Sequence, residues 1–196
     1  MKNQSGIVMA KKVEDALKQV LDKYSVNFSE KVYADGYNDT DLLMNAFGIT
    51  QELKSENKQY WGRELGKCWE NLLRDLFEAT CEDFQPPIKF GKDEPADFFV
   101  GKEAIDTKYR VGSGDSGTLK KFELYGKMLK KKGYKPVFLF LRNDNLPSAL
   151  SKMDAGGWKR YTDNDTFDYI KNKTGFDLKE WLIKLEKDGT YKIKRV

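Results

Sequence analysis

The sequence predicts an α/β fold, a mixed central β-sheet flanked by helices in a three-layer α/β/α arrangement. Three observations carry it. Long stretches with apolar residues at helical spacing alternate with short apolar runs of strand length. Residues 97–108 read as a hairpin, two short strands meeting at Gly101-Lys102. A helical stretch then separates that hairpin from residues 136–141, Pro-Val-Phe-Leu-Phe-Leu, a continuous apolar run of the kind found in strands buried on both faces. Strand, helix, strand implies a parallel pair joined by a right-handed crossover, so antiparallel and parallel pairing share one sheet.

The elements follow in order. Residues 8–24 carry Val13, Leu17, Val20 and Leu21 at helical spacing. A second helical region spans 39–54, with Asp39 or Thr40 as its cap and Gly48 as an interruption. The strongest helix runs over 60–80, where Leu65, Trp69, Leu72, Leu73, Leu76 and Phe77 form a broad apolar stripe. Pro86-Pro87 ends regular structure before the hairpin. After Arg110 a glycine-rich loop, residues 111–118, leads into a helix over 119–132 that Gly133 closes. Beyond the buried strand come a short helix at 146–153, an edge strand at 158–161, and two helices at 166–173 and 177–187 parted by Thr174-Gly175.

The 196 residues suffice for one domain with a real core. No apolar run reaches the roughly 20 residues of a membrane span, and the start lacks the apolar core of a signal peptide. The expectation is a cytoplasmic protein without a membrane partner. Cys68 and Cys81 have no zinc-type spacing and read as reduced packing thiols. The chain contains no histidine, which excludes serine–histidine triads, histidine metal motifs and histidine general bases. Chemistry must come from carboxylates, lysines, tyrosines or a metal-bound water. A net charge of +4 permits a nucleic-acid partner.

The hairpin supplies a candidate site. A two-residue turn at Gly101-Lys102 pairs Val100 with Glu103, Phe99 with Ala104 and Phe98 with Ile105, and sets Asp97 opposite Asp106. Two carboxylates on one rung repel unless a cation sits between them, and a hard divalent ion with oxygen ligands suits that place. By alternation Lys108 and Arg110 share the face of Asp106, while Glu103 takes the opposite one. Two acids, an ammonium and a guanidinium on one surface suit metal-assisted hydrolysis of a phosphodiester.

Asp97, an eight-residue spacer and Asp106-Thr107-Lys108 together resemble the PD-(D/E)xK nuclease signature, with the proline at Pro95, two positions ahead of the first acid. The order of elements, helix, hairpin, helix, buried strand, is similar to the shared core of that superfamily. More narrowly, EAIDTKYRVGSGDSGTLKKFELYG, GYKPVFLFLRNDNLP, GGWKRYT and FDLKEWL, between Glu103 and Leu182, resemble ApaLI-like type II restriction endonucleases. The resemblance implies a restriction-endonuclease-like core at 59–196 behind an N-terminal helical region at 1–58, all one endonuclease domain. It also implies Mg2+-dependent cleavage of both strands of double-stranded DNA at a short, palindromic site. Asp97 and Asp106 are then metal ligands, joined by the Thr107 carbonyl, and Lys108 orients or deprotonates the attacking water. Two copies of one constellation would cut two strands, so a homodimer is expected. A structure-specific nuclease on the same core and a catalytically silent DNA-binding module are the alternatives.

Glu70 is the candidate for a third catalytic acid. It borders the apolar stripe, and many superfamily members place a glutamate on this helix; Glu64 and Glu78 compete with it, or the residue is a solvated charge. The glycine-rich loop is not a Walker A loop, so no nucleotide cofactor is expected. Its backbone either approaches a DNA phosphate at the helix N-terminus, or Asp115, Ser116 or Thr118 simply cap the helix. On the first reading Arg110, Ser113, Ser116, Thr118 and Lys120 contact DNA. The run Lys127, Lys130, Lys131, Lys132, Lys135 reads as a solvated face, and Trp158 and Tyr161 as core anchors.

Overall fold

The computed structural model describes residues 2–29, 40–112 and 116–194. In chain order it contains α1 (Lys2–Ser29), α2 (Leu42–Ala46), α3 (Gln51–Glu56), α4 (Lys58–Thr80), β1 (Phe84–Gln85), β2 (Phe98–Val100), β3 (Glu103–Lys108), α5 (Ser116–Lys131), β4 (Lys135–Phe140), α6 (Pro147–Gly156), β5 (Lys159–Thr162), α7 (Asn164–Thr174) and α8 (Leu178–Asp188). The chain divides into two compact units, Met1–Thr80 with Ile170–Val196, and Cys81–Tyr169. Among the described residues no helix is long and apolar enough to cross a membrane.

The first unit is helical. α1 buries Val13, Leu17, Leu21 and Tyr24 toward α4, which buries Leu65, Cys68, Trp69, Leu72, Leu73, Leu76 and Phe77. Apart from Tyr24 and Cys68, these are residues whose 3.6-residue spacing predicts the two helices. The Tyr24 hydroxyl accepts a hydrogen bond from Asn71 Nδ2 at 2.9 Å, tying the helices at a polar point. The helical region expected at 39–54 is two short helices. Asp41 caps α2, accepting from Leu43 and Met44 N–H, and Thr50 caps α3, accepting from Leu53 N–H. Gly48, at φ +63°, makes the break, a conformation that residues with a Cβ rarely adopt. The cap is therefore Asp41 rather than Thr40; Asp39 lies outside the described residues.

The second unit is α/β. Its five-stranded sheet runs β1-β2-β3-β4-β5, antiparallel from β1 to β3 and parallel from β3 to β5. β1 joins the sheet's outer edge, an element absent from the sequence expectation because it is only two residues long. β5 is the edge strand expected near 158–161. The hairpin forms in the expected register, Val100 with Glu103, Phe99 with Ala104 and Phe98 with Ile105. Gly101 takes φ +55° at the first turn position, the glycine requirement of a type II′ turn. α5 begins at Ser116, earlier than expected, so Ser116 and Thr118 lie in its first turn rather than before it.

One face of the sheet carries Phe99, Ala104, Phe138 and Phe140, packed with Phe122 and Leu129 of α5, Ala149 and Met153 of α6, and Trp158. Phe138 lies 4.2 Å from Trp158 by ring centroids. α5 and α6 approach closely because Gly126 meets Gly156; a Cβ on Gly126 would stand 2.5 Å from the Gly156 carbonyl oxygen. The Trp158 indole N–H fills the same seam and donates to the Phe122 carbonyl at 2.7 Å. On the opposite face Glu103 accepts from the Tyr169 hydroxyl at 3.2 Å, as alternation along β3 requires.

Candidate active site

The expected rung between Asp97 and Asp106 does not form. Pairing of β2 with β3 ends at Phe98 and Ile105, and the Asp97 N–H donates to the same Ile105 carbonyl, at 2.9 Å. Two consecutive residues thus address one partner, as at a β-bulge, and residues 96 and 97 bend out of the ladder. The Thr107 N–H, which a continuing strand would have met with a carbonyl, instead donates to Asp97 Oδ2 at 2.7 Å. The Thr107 hydroxyl donates to the same oxygen at 2.8 Å. Thr107 is buried, so this carboxylate satisfies donors that water does not reach. Asp97 is brought to the residue between Asp106 and Lys108, although not by the pairing that the hairpin pattern predicts.

Asp106 and Lys108 do share a face. They alternate with buried Ile105 and Thr107 along β3 and are themselves half-buried. The Lys108 ammonium is ion-paired with Asp106 Oδ1 and donates to the Thr107 carbonyl at 3.1 Å. Its Nζ stands 6.0 Å from the centre of the Phe138 ring, so an aromatic wall borders the pair. β4 pairs with β3 along its whole length, matching Asp106 with Phe138 and Lys108 with Phe140. Both charged residues therefore stand on a central strand, a rigid base for positioned chemistry.

Arg110 lies past the end of β3. Its guanidinium is 3.3 Å from Asp144 Oδ2, and it folds over Gly112, where a Cβ would come within 2.9 Å of it. Arg142 Nε donates to Asp144 Oδ1 at 2.7 Å. Burial raises the Asp144 carboxyl, but the hydrogen bond from Arg142 and the charges of Arg142 and Arg110 outweigh it, and the net direction is down. The run Arg142-Asn143-Asp144-Asn145 after a buried strand is the sequence signal for this cluster.

No family model, curated protein or solved structure matches the chain.

The remaining candidates are scattered. Ser116 and Thr118 in the first turn of α5 and Lys120 just past it are exposed, and Ser113 lies outside the described residues. Glu70 is half-buried on α4, in the helical unit. There burial pushes the Tyr24 phenol up to about 12, with Cys68, Glu64 and Glu70 adding to the rise against the Asn71 hydrogen bond. Glu64 is paired with Arg63 Nε at 3.0 Å, and Glu78 is exposed. Among the lysines of the 127–135 run, Lys127 pairs with Glu123 and Lys132 stands over the Phe90 ring; all five are exposed, as a solvated face would be. Trp158 is buried, as expected of an anchor; Tyr161 is only half-buried, its ring tilted against Tyr169 with centroids 4.6 Å apart, so it is not a core anchor.

Among the described residues no three His, Cys, Asp or Glu side chains gather into a metal-binding group. The donors at β3 are all hard oxygens: the Asp97 and Asp106 carboxylates and the Thr107 carbonyl. Magnesium asks for one or two carboxylates and otherwise keeps water or substrate phosphate, so this donor set fits it by chemistry without a third acid.

Proposed function

We propose that the protein is a type II restriction endonuclease, hydrolysing phosphodiester bonds of double-stranded DNA in a Mg2+-dependent reaction on a restriction-endonuclease-like PD-(D/E)xK core. The observation that supports this reading best is the docking of Asp97 onto Thr107 through two hydrogen bonds. It ties the first acid of the signature to Thr107, on the central strand that carries the other two residues, Asp106 and Lys108. Asp97 and Asp106, with the Thr107 carbonyl, would hold the ion. When bound it would polarise the phosphoryl oxygen and activate water. Lys108 supplies donors beside that position, where it orients the attacking water and offsets negative charge developing on the phosphate. For this its ammonium leaves Asp106, exchanging one anionic partner for another. Glu70 as a third acid rests on the resemblance alone.

Digestion of a sequenced plasmid with magnesium tests the reading. Discrete fragments with defined ends, absent in chelator, are the expected result. Smearing or branch-dependent nicking would point to a structure-specific nuclease instead. One observation favours a silent DNA-binding module: an oxygen of Asp97 already serves as the partner of Thr107, a structural task that needs no metal. Retained DNA binding with an intact plasmid would select that module. A homodimer follows from the reaction class, since two-fold symmetry matches a palindrome. Sedimentation on a duplex containing the site should show two chains per duplex, and one chain per duplex with complete double-strand cleavage would contradict it.

A further inference from the structure

We propose that Thr107 is a positioning residue that makes Asp97 a one-oxygen ligand: its two hydrogen bonds fill Oδ2, Oδ1 alone is left for a divalent cation, and magnesium is thereby favoured over calcium. The cation belongs to the nuclease reading above, on which this role rests; the clip itself is geometric. A carboxylate oxygen offers about two lone-pair sites. On Asp97 Oδ2 the Thr107 N–H takes one at 2.7 Å and the Thr107 hydroxyl takes the other at 2.8 Å. Among the described residues the Asp97 carboxylate makes no other hydrogen bond or ion pair, so both sites of Oδ1 remain.

Both ends of the clip are fixed. Thr107 is 3% exposed on a central strand and pairs with Leu139 of β4. Its branched Cβ restricts χ1, which holds the hydroxyl in one direction. Asp97 is anchored through its backbone as well, its N–H donating to the Ile105 carbonyl at 2.9 Å. Tied by its backbone and by one oxygen, the carboxylate has little freedom to rotate and exchange Oδ2 for Oδ1. A buried hydroxyl costs free energy unless it is bonded; packing alone would be served by valine, which has the same shape. The backbone N–H would stay on Oδ2 in either case, so the hydroxyl decides whether that oxygen is full. The consequence is a choice of ion. Calcium takes carboxylates through one or two oxygens in flexible geometry, whereas magnesium demands near-octahedral angles. The narrow bite of a two-oxygen carboxylate suits only the first, so a ligand restricted to one oxygen favours the second.

The test is metal binding by the full chain without DNA, read from the electron paramagnetic resonance signal of free Mn2+, with Mg2+ and Ca2+ as competitors. Thr107→Val keeps the shape and the backbone N–H but removes the hydroxyl. It should bind Mg2+ about 10- to 100-fold more weakly, the usual cost of losing a group that orients a metal ligand, and lose less affinity for Ca2+. Thr107→Ser returns the hydroxyl and should restore most of the loss. Thr107→Ala lacks the hydroxyl with less bulk and carries the same expectation as Thr107→Val. Thermal melts establish that the variants are folded. A folded Thr107→Val protein with the parent's Mg2+ affinity, equal losses for the two ions, or a Thr107→Ser protein as weak as Thr107→Val overturns the proposal. So does Mn2+ binding that Asp97→Asn leaves unchanged, or a parent that binds no Mn2+; the last removes the metal-dependent reading as well. Because binding is read without cleavage, a hydroxyl effect as described in a protein that never cuts would remove the nuclease reading alone. Metal-dependent cutting by a parent whose Thr107→Val variant binds Mg2+ equally well would remove the positioning role alone.

Discussion

Thr107 gives both its backbone N–H and its hydroxyl to a single oxygen of Asp97, at 2.7 and 2.8 Å. The carboxylate takes the place of a missing strand carbonyl, so Asp97 has a structural load in addition to any chemical one. The two can be separated. Asn retains an acceptor oxygen for both donors but no charge; Ala leaves two buried donors without a partner. Asp97→Asn should melt close to the parent and lose metal-dependent cleavage. Asp97→Ala should lose cleavage and also about 1–3 kcal/mol of stability. Denaturant unfolding of the two variants side by side measures the difference.

Lys108 and Arg110 should fail in different ways. Lys108→Ala removes the ammonium beside Asp106 and should slow the chemical step by about two to four orders of magnitude with binding nearly unchanged. Arg110→Ala should mainly weaken DNA binding. Single-turnover cleavage at saturating enzyme, paired with a binding isotherm in calcium, separates them. Equal losses of binding would deny Lys108 a chemical role.

The α5–α6 seam depends on two glycines. Gly126→Ala would press a methyl group into the Gly156 carbonyl and the Trp158 indole, both 2.5 Å from the added carbon. Neither neighbour is the free end of a flexible chain, so the helices must separate. A loss of about 1–3 kcal/mol is expected from chemical unfolding, as for other overpacked sites.

Acid should weaken the same seam. Glu123 of α5 pairs with Lys127 on its own helix and with Lys152 of α6, the latter at 2.8 Å. Hydrogen bonds from Lys127 and then Lys152, with their charges, lower its carboxyl from the model-peptide value of 4.5 to about 2. A carboxyl lowered on folding adds stability above its unfolded value, and that contribution fades as pH falls through the folded one. The parent should therefore melt above Glu123→Gln at neutral pH, and the gap should close between pH 4.5 and about 2. Solvent reaches both pairs, so added salt should narrow the gap as well.

Much of this architecture is legible because burial imposes periodicity. The stripe on α4 and the run Val137–Leu141 declare a helix and a central strand, and Gly101-Lys102 fixes the hairpin register through the turn. What escapes the sequence is local hydrogen bonding. Alternation alone carries the ladder on to Asp97 and Asp106; the bulge at Ile105 cuts it short, and no spacing rule announces a bulge. Asp41 outcompetes its neighbours as a cap because its oxygen meets the Leu43 and Met44 N–H groups, a matter of where the chain enters the helix. The Arg142–Asp144 pair escapes for the opposite reason: its charges look like ordinary surface residues until β4 brings them beside Arg110.

On the proposed function, Asp106 with Asp97 and Lys108 makes β3 a metal-dependent phosphodiesterase site. Cleavage of one plasmid by the parent and by Asp106→Asn, in magnesium and in chelator, tests it most directly. Discrete double-strand fragments from the parent in magnesium, none in chelator, and a loss of at least about a hundredfold in the folded variant are the expected result. An intact plasmid with the parent protein, or equal cutting by Asp106→Asn, would contradict it.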